Sequence, residues 1–409
     1  MSGEGADGGV RYSGARIAGL GVLAVLVLLP VTLPITGLRE LVQHRFAVSE
    51  FAAHAFMSIN MIGAFLAAPL AGALADRWGR RRGLLVAALA LDALCFLALT
   101  ADFPFAAFMA IRFVEGCAHI GALSLLMGVA SGARPEHERS LALGVVGSGL
   151  LLGVALGAPI GAQLGERGEL LPLQAGAAIV LIAAVLAAAL VRETGRAGEA
   201  RPSFREIAAL VRAHPIVALP LTYSFADRFT VGFFTTTFSF LMRNEHDLPR
   251  LEVGALIASF MLPFAVLSFP FGLVAQRTSR ALLLAGGSLI YGIFVASLGF
   301  WPREWFWWAM PLTGITAAVM FMPSMLMTTE TTPERIRTMS LGAFNAAGSL
   351  GFIVGPLVGG AVSALVSREH GSLAGYQAAF VVAGASQIVL ALATWIPLWR
   401  FERARSGVQ

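Results

Sequence analysis

Twelve apolar runs of membrane-spanning length, separated by short clusters of charge, constrain this chain more than any other feature. A helix crosses the hydrocarbon core of a bilayer in about 20 residues. Runs of that kind lie at 17–38, 51–75, 83–101, 105–131, 140–164, 170–191, 215–241, 253–275, 282–301, 305–328, 339–365 and 375–398. Lipid offers the backbone no hydrogen-bond partners, so each run is expected to be a helix. Their length and their lack of alternating polarity exclude a β-barrel. Composition agrees, because only 13% of the 409 residues are charged and 57% are hydrophobic. A soluble domain averages about 25% charged residues. So few charges cannot cover a chain of this size in water, and lipid has to cover much of it. The expected fold is an all-α membrane protein of twelve transmembrane helices in two pseudo-symmetric six-helix bundles.

All 29 basic residues are arginine. Twenty of them fall in the N-terminal tail, in the connectors near 76–82, 132–139, 192–214, 276–281 and 329–338, and in the C-terminal tail. Seven fall in the opposite connectors, and Arg112 and Arg228 lie inside spans. Basic residues accumulate on the cytoplasmic side, so both termini are expected there, in a bacterial cytoplasmic membrane. Residues 17–38 are too long for the apolar core of a signal peptide and read as the first span. The arginines are scattered through short connectors, which argues against a nucleic-acid partner. The longest polar segment, 192–214, divides the chain into expected bundles at 1–191 and 215–409. From Ser203 onward it reads either as a solvated linker or as a short surface helix.

The two halves are related. A shift of 198 positions aligns residues 116–161 with the second half without a gap. Gly116 meets Gly314, Pro135-Glu136 meets Pro333-Glu334, and Arg139 meets Arg337. Gly153, Gly157 and Gly161 meet Gly351, Gly355 and Gly359. Parallel repeats of this kind are a feature of carriers whose substrate site lies near the midplane.

The connector after the second run reads Gly72-Ala-Leu-Ala-Asp76-Arg77-Trp-Gly79-Arg80-Arg81-Arg82. Gly72 allows close packing at a helix end, Gly79 allows a tight turn, and Asp76 can face a helix N-terminus. This closely resembles the loop between the second and third helices of the major facilitator superfamily, and the resemblance covers nearly the whole chain. Gly272-Leu-Val-Ala-Gln276-Arg277-Thr-Ser279-Arg280 is a worn copy of it in the second half. The resemblance implies a gating loop of Gly72, Asp76, Arg77, Gly79, Arg80 and Arg81, with Asp76 engaging residues near Arg337 to Ser340. Only the first half keeps the acidic residue, which makes that latch asymmetric.

Three groups of residues stand out inside the spans. Arg112, Glu115 and His119 lie at spacings of three and four, on one stripe of the fourth helix. Charges at that depth face a cavity or a partner. The Arg-x-x-Glu-Gly pattern resembles a superfamily motif tied to proton transfer, and a buried structural ion pair is the alternative. Gly149, Gly153, Gly157, Pro159 and Gly161 in the fifth helix permit close helix approach. They resemble the motif of proton-exchanging exporters, with Gly-Ala-Pro where that motif has Gly-Pro, and a plain packing groove is the alternative. Asp227 and Arg228 sit mid-span in the seventh helix, about 100° apart around its axis. Asp227 is the first candidate proton carrier and Asp92 the second, although a structural pairing suits Asp92 as well. His54, Asn60, Tyr223 and Thr235–Thr237 read mainly as packing, as do Met320, Met322, Met325 and Met327. Glu330 reads as a boundary charge.

These readings predict a secondary active transporter that moves a small organic molecule by alternating access. The first expectation is proton-coupled efflux of an amphiphile. The alternatives are proton-coupled import of a polar metabolite or organic anion, and lipid translocation. Protons, a small-molecule substrate and the bilayer are the expected partners of a monomer. No cofactor is expected. Cys95 and Cys117 lie in apolar runs and read as small hydrophobes. The seven His show no zinc spacing, so no metal site is expected. With no phosphate loop and no nucleophile constellation, the chain is not expected to be an enzyme.

Overall fold

The structure is a computed structural model and describes residues 12–78, 80–131, 136–192, 204–275, 277–332 and 337–406. These residues are almost wholly helical, and no strand occurs among them. The first half of the chain forms α1 (Gly14–Thr32), α2 (Leu38–Phe46), α3 (Glu50–Trp78), α4 (Arg81–Ala98), α5 (Phe105–Ser131), α6 (Glu136–Arg167) and α7 (Leu171–Leu190). The second half forms α8 (Phe204–Ala213), α9 (Ala218–Phe233), α10 (Ser239–Asn244), α11 (Arg250–Val274), α12 (Gly287–Ser297), α13 (Phe306–Glu330), α14 (Arg337–His370) and α15 (Ser372–Ser406). A π-helical turn, Phe234–Phe238, joins α9 to α10. Among the described residues nine helices are long and apolar enough to cross a membrane, and the bent segment 205–244 makes a tenth. The other two expected spans correspond to α3, whose apolar stretch is Ala52–Ala67, and to α4, which carries Arg81, Arg82 and Asp92.

Several boundaries differ from the expected ones. The first span stops at Thr32 rather than 38. Pro30 has already removed one backbone donor, and Pro34 and Gly37 follow, so the chain turns and restarts as α2. Ala47, left-handed at φ 48°, closes α2. The last two helices run past their apolar segments, because helical hydrogen bonding does not end where hydrophobicity does. The polar segment yields α8, which meets the following helix at 115° just before Pro215. Leu210 of α8 packs with Val217, Leu221, Ala343 and Phe344. Residues 193–203 lie outside the described residues.

The chain groups into two compact units. Unit 1 takes residues 1–34 and 59–201, and unit 2 takes 35–58 and 202–409. Inside unit 1, α6 lies directly along α1. A Cβ on Gly149, Gly153, Gly157 or Gly161 would land on the carbonyl of Gly21, Val25, Leu29 or Leu33 respectively. Both series advance by four residues, so the two backbones touch along one seam, as small residues permit in lipid. Thr32 closes the seam by donating to the Val154 carbonyl at 3.0 Å.

Unit 2 repeats the device with α14 on α9, where Gly351 and Gly355 meet the carbonyls of Phe225 and Phe229. Gly116 seats α5 on α3 at the Asn60 carbonyl, and its repeat partner Gly314 seats α13 on α11 at the Phe260 carbonyl. The aligned pairs Gly116/Gly314, Gly153/Gly351 and Gly157/Gly355 therefore do the same work in both units.

The contacts at Gly161 are backbone atoms, which no rotamer change can relieve. Gly161→Leu should lower the melting temperature of the detergent-solubilised protein sharply, with overpacking costing about 1–3 kcal/mol or more. Gly355→Leu should do the same. Gly147 has open space around its Cβ position. Gly147→Ala should be neutral, or stabilising by roughly 0.5–1 kcal/mol. Equal melting temperatures for all three variants would contradict the seam.

Candidate functional site

Each unit carries buried charge of its own. In unit 1 the expected stripe on α5 is real, and α3 and α4 complete it. Arg112 donates from Nη1 to Glu115 Oε2 at 2.9 Å, one turn along α5. His119 Nδ1 meets Asp92 Oδ2 of α4, also at 2.9 Å. The side chain of Asn60, on α3, sits beside Glu115. All five residues are buried. Asp92 thus takes the pairing role that the sequence allowed it.

The ligand atoms of Asp92, Glu115 and His119 lie within 4.8 Å of one another. The expectation of no metal site rested on linear spacing, which cannot see α4 meet α5. The Arg112 guanidinium on Glu115 opposes a divalent cation there. Counted formally, two carboxylates and one guanidinium leave the cluster at −1 with a neutral imidazole, and one proton brings it to zero.

In unit 2, α9 carries Asp227 and Arg228. Despite their angular separation they approach each other, Arg228 Nη1 standing 3.8 Å from Asp227 Oδ2. The same nitrogen donates to Ser224 Oγ at 3.0 Å, and Ser224 donates to the Phe344 carbonyl at 2.7 Å. The guanidinium carbon lies 5.4 Å from the Phe321 ring centre and 5.5 Å from that of Phe344. The two rings pack against each other with centres 6.4 Å apart, and the guanidinium lies over both from one side, a cation–π arrangement. The Arg228 chain rests against Gly348, the only residue type that leaves room for it.

Among the described residues Asp227 Oδ1 has no hydrogen-bond partner. Thr230 donates to the Asp227 carbonyl at 2.7 Å and meets the Tyr291 hydroxyl at 3.1 Å. The Asp227–Arg228 pair is neutral as it stands.

The remaining sequence candidates fall elsewhere. Gly72, Asp76 and Arg77 lie on the last turns of α3, and Gly79 lies outside the described residues. Arg80 precedes α4. Arg81 is buried and donates to the Gly128 carbonyl at 3.3 Å, and Arg82 donates to the Ala188 carbonyl. These two arginines fasten the start of α4 to the ends of α5 and α7, where carbonyls carry partial negative charge. Gly149, Gly153, Gly157 and Gly161 line the α1 seam, and Pro159 sits inside α6. Buried His54 packs edge-on against Phe240, 4.5 Å away. Tyr223 bonds Thr394 at 2.6 Å. Glu330 pairs with Arg280. Sequence reasoning missed Phe321 and Phe344, which nothing distinguishes from the other aromatics until α13 and α14 bring them to Arg228.

Two helical units with internally duplicated packing and a buried charge cluster in each define a membrane carrier. The model of the Major Facilitator Superfamily matches residues 17–242 and again 221–408, and the chain belongs to that superfamily. It is a secondary active transporter and not an enzyme. It is 26% identical over 366 residues to the 3-(3-hydroxy-phenyl)propionate transporter of Escherichia coli (strain K12), covering 84% of this chain and 86% of that one. Its fold matches a bacterial homolog of the human lysosomal transporter Spinster, with a TM-score of 0.81 at 14% identity over 95% of this chain and 97% of that one. It also matches a D-xylose-proton symporter, with a TM-score of 0.75 at 17% identity over 93% and 97%.

Removing one member of a buried ion pair costs about 3–5 kcal/mol, whereas removing both is far milder. Glu115→Ala should therefore lower thermal stability more than Arg112→Leu combined with Glu115→Leu. A single variant no less stable than the double would show that the pair is not electrostatically coupled.

Proposed function

We propose that this transporter moves an organic anion with an aromatic body together with one proton, Arg228 binding the carboxylate and Asp227 taking the proton. The observation that carries this reading is the neutral Asp227–Arg228 pair, its guanidinium lying against the packed rings of Phe321 and Phe344. A substrate carboxylate on Arg228 would bring the site to −1. An uncompensated buried charge costs several kcal/mol. A proton on Asp227 restores neutrality. The empty site and the site holding both anion and proton are neutral, and each half-loaded form is charged, so the two cargoes travel together. Arginine suits the task, since its planar fork matches a carboxylate while its faces stack on rings. The phenylpropionate named for the E. coli relative, a carboxylate on an aromatic ring, supports this cargo.

The expectation of amphiphile efflux rested on the exporter-like motif of the fifth helix. Its glycines line the α1 seam and recur in α14, which supports reading them as packing. An inward proton gradient then drives import. The arginine bias supports a bacterial cytoplasmic membrane with both termini in the cytoplasm, and one chain holding both units supports action as a monomer.

Electroneutral coupling has a direct test in proteoliposomes. Uptake of 3-(3-hydroxyphenyl)propionate should follow an imposed pH difference, each unit of which supplies about 1.4 kcal/mol per proton. It should be indifferent to a potassium diffusion potential. Arg228→Leu should abolish binding, and Asp227→Asn should leave binding but end substrate-induced proton flux. Uptake driven by the potential alone, or proton flux unchanged in Asp227→Asn, would defeat the reading.

A further inference from the structure

Thr230, one turn along α9 from Asp227, joins that turn to two other helices of unit 2. Its hydroxyl oxygen lies 2.7 Å from the Asp227 carbonyl, 3.1 Å from the Tyr291 hydroxyl of α12 and 3.5 Å from Gln387 Nε2 of α15. Gln387 Oε1 accepts in turn from the Ser288 hydroxyl of α12 at 2.6 Å. Thr230, Ser288, Tyr291 and Gln387 are all wholly buried. Gly292 and Gly384 let α12 and α15 touch backbone to backbone beside them, since a Cβ on either would crowd the other's carbonyl.

The hydrogens of this network follow from counting. A carbonyl only accepts, so the single hydroxyl hydrogen of Thr230 is committed to the Asp227 carbonyl. Tyr291 and Gln387 then both donate to the Thr230 oxygen. That commits the one hydroxyl hydrogen of Tyr291 and leaves its oxygen with a lone pair. The network has no hydrogen to spare for the Asp227 carboxylate, and Oδ1 of that carboxylate has no partner among the described residues. An ionised carboxylate wants donors, whereas a protonated one needs an acceptor for the O–H it has gained. The Tyr291 phenol lies within electrostatic reach of Asp227, and what it offers is an acceptor.

We propose that Tyr291 is a positioning residue for the proton of Asp227, its oxygen accepting the O–H of the protonated carboxyl. This rests on the reading of Asp227 as the proton carrier. The step adds one proton to a carboxylate oxygen and breaks no bond in Tyr291, which keeps its own proton throughout. Without that acceptor the new O–H would be a buried donor with no partner, a cost that falls on the protonated form alone. Thr230 serves by holding the Tyr291 hydrogen, which would otherwise be free to turn to the carboxylate and favour the ionised form.

The charged and titratable groups about Asp227 are Arg228 on its own helix, 3.8 Å away, and Tyr291 on α12. Among the described residues α13, α14 and α15 bring no charged group to it. Arg228 favours the ionised form. Once a cargo carboxylate occupies Arg228, Tyr291 is the group left to favour the protonated one.

The test reads the carboxyl directly and needs no cargo. The full chain in lipid is titrated with infrared detection, and the C=O band of protonated Asp227 is the one missing from Asp227→Asn. In Tyr291→Phe that band should move to higher wavenumber, because the acid has lost its acceptor. It should also titrate about one pH unit lower, a tenfold loss of proton affinity. Thr230→Val releases the Tyr291 hydrogen, should lower the midpoint to a similar extent, and stands in if Tyr291→Phe does not fold. A loss of packing alone would move neither band nor midpoint. A band and midpoint that stay with the parent in these variants would overturn this proposal alone. No Asp227 band in the parent at any pH where it stays folded would overturn the reading of Asp227 as carrier, and this proposal with it.

Discussion

Water does not reach the middle of a bilayer, so helices there gain nothing by hiding apolar surface from one another. Association has to come from close packing and from the few polar groups that find partners. In this protein the packing is backbone on backbone. Four glycines of α6 sit on the carbonyls of Gly21, Val25 and Leu29 in α1 and of Leu33 just after it, and α14 sits on α9 in the same manner. The charged sites hang from these seams. Gly116 brings α5 so close to α3 that Asn60 sits beside Glu115. Gly348 and Gly351 bring α14 onto α9 beside Arg228, which is why the Phe344 ring meets the guanidinium.

Charge balance separates the two buried sites. The cluster of Asp92, Arg112, Glu115 and His119 holds one more negative group than positive, and a single proton neutralises it. The Asp227–Arg228 pair is neutral when empty and becomes unbalanced only when an anion arrives. In a medium that penalises net charge, a proton would relieve the first site at rest, and on the proposed reading the second would take a proton together with an anionic cargo. A carrier that couples an anion to a proton needs the second behaviour.

Much of the fold was legible in the sequence, for physical reasons. Helices in lipid follow from hydrophobic length alone, since no other open structure can satisfy the backbone. The break after the first span was missed because hydrophobicity continues through Leu33 to Leu38 while Pro30, Pro34 and Gly37 end the helix. The stripe of Arg112, Glu115 and His119 was legible because helical periodicity puts them on one face. The pairing of Asp92 with His119 was left open, since residues 27 apart in the chain meet only when α4 packs on α5. The glycine motif of the fifth helix could be read as packing or as an exporter's motif, and only the tertiary structure shows the carbonyls it packs on.

The sequence by itself determined that this chain crosses the membrane as helices, that its halves are duplicates, and that its buried charges lie on particular helical faces. Those properties are local or periodic, and one strand of text contains them. Tertiary structure alone decided which charges meet. It set Phe321 and Phe344 against Arg228, brought Tyr291 and Gln387 to Thr230 from α12 and α15, and gathered Asp92, Glu115 and His119 into one cluster. Such contacts depend on how closely and at what register two helices touch, and that is fixed by the facing surfaces of both.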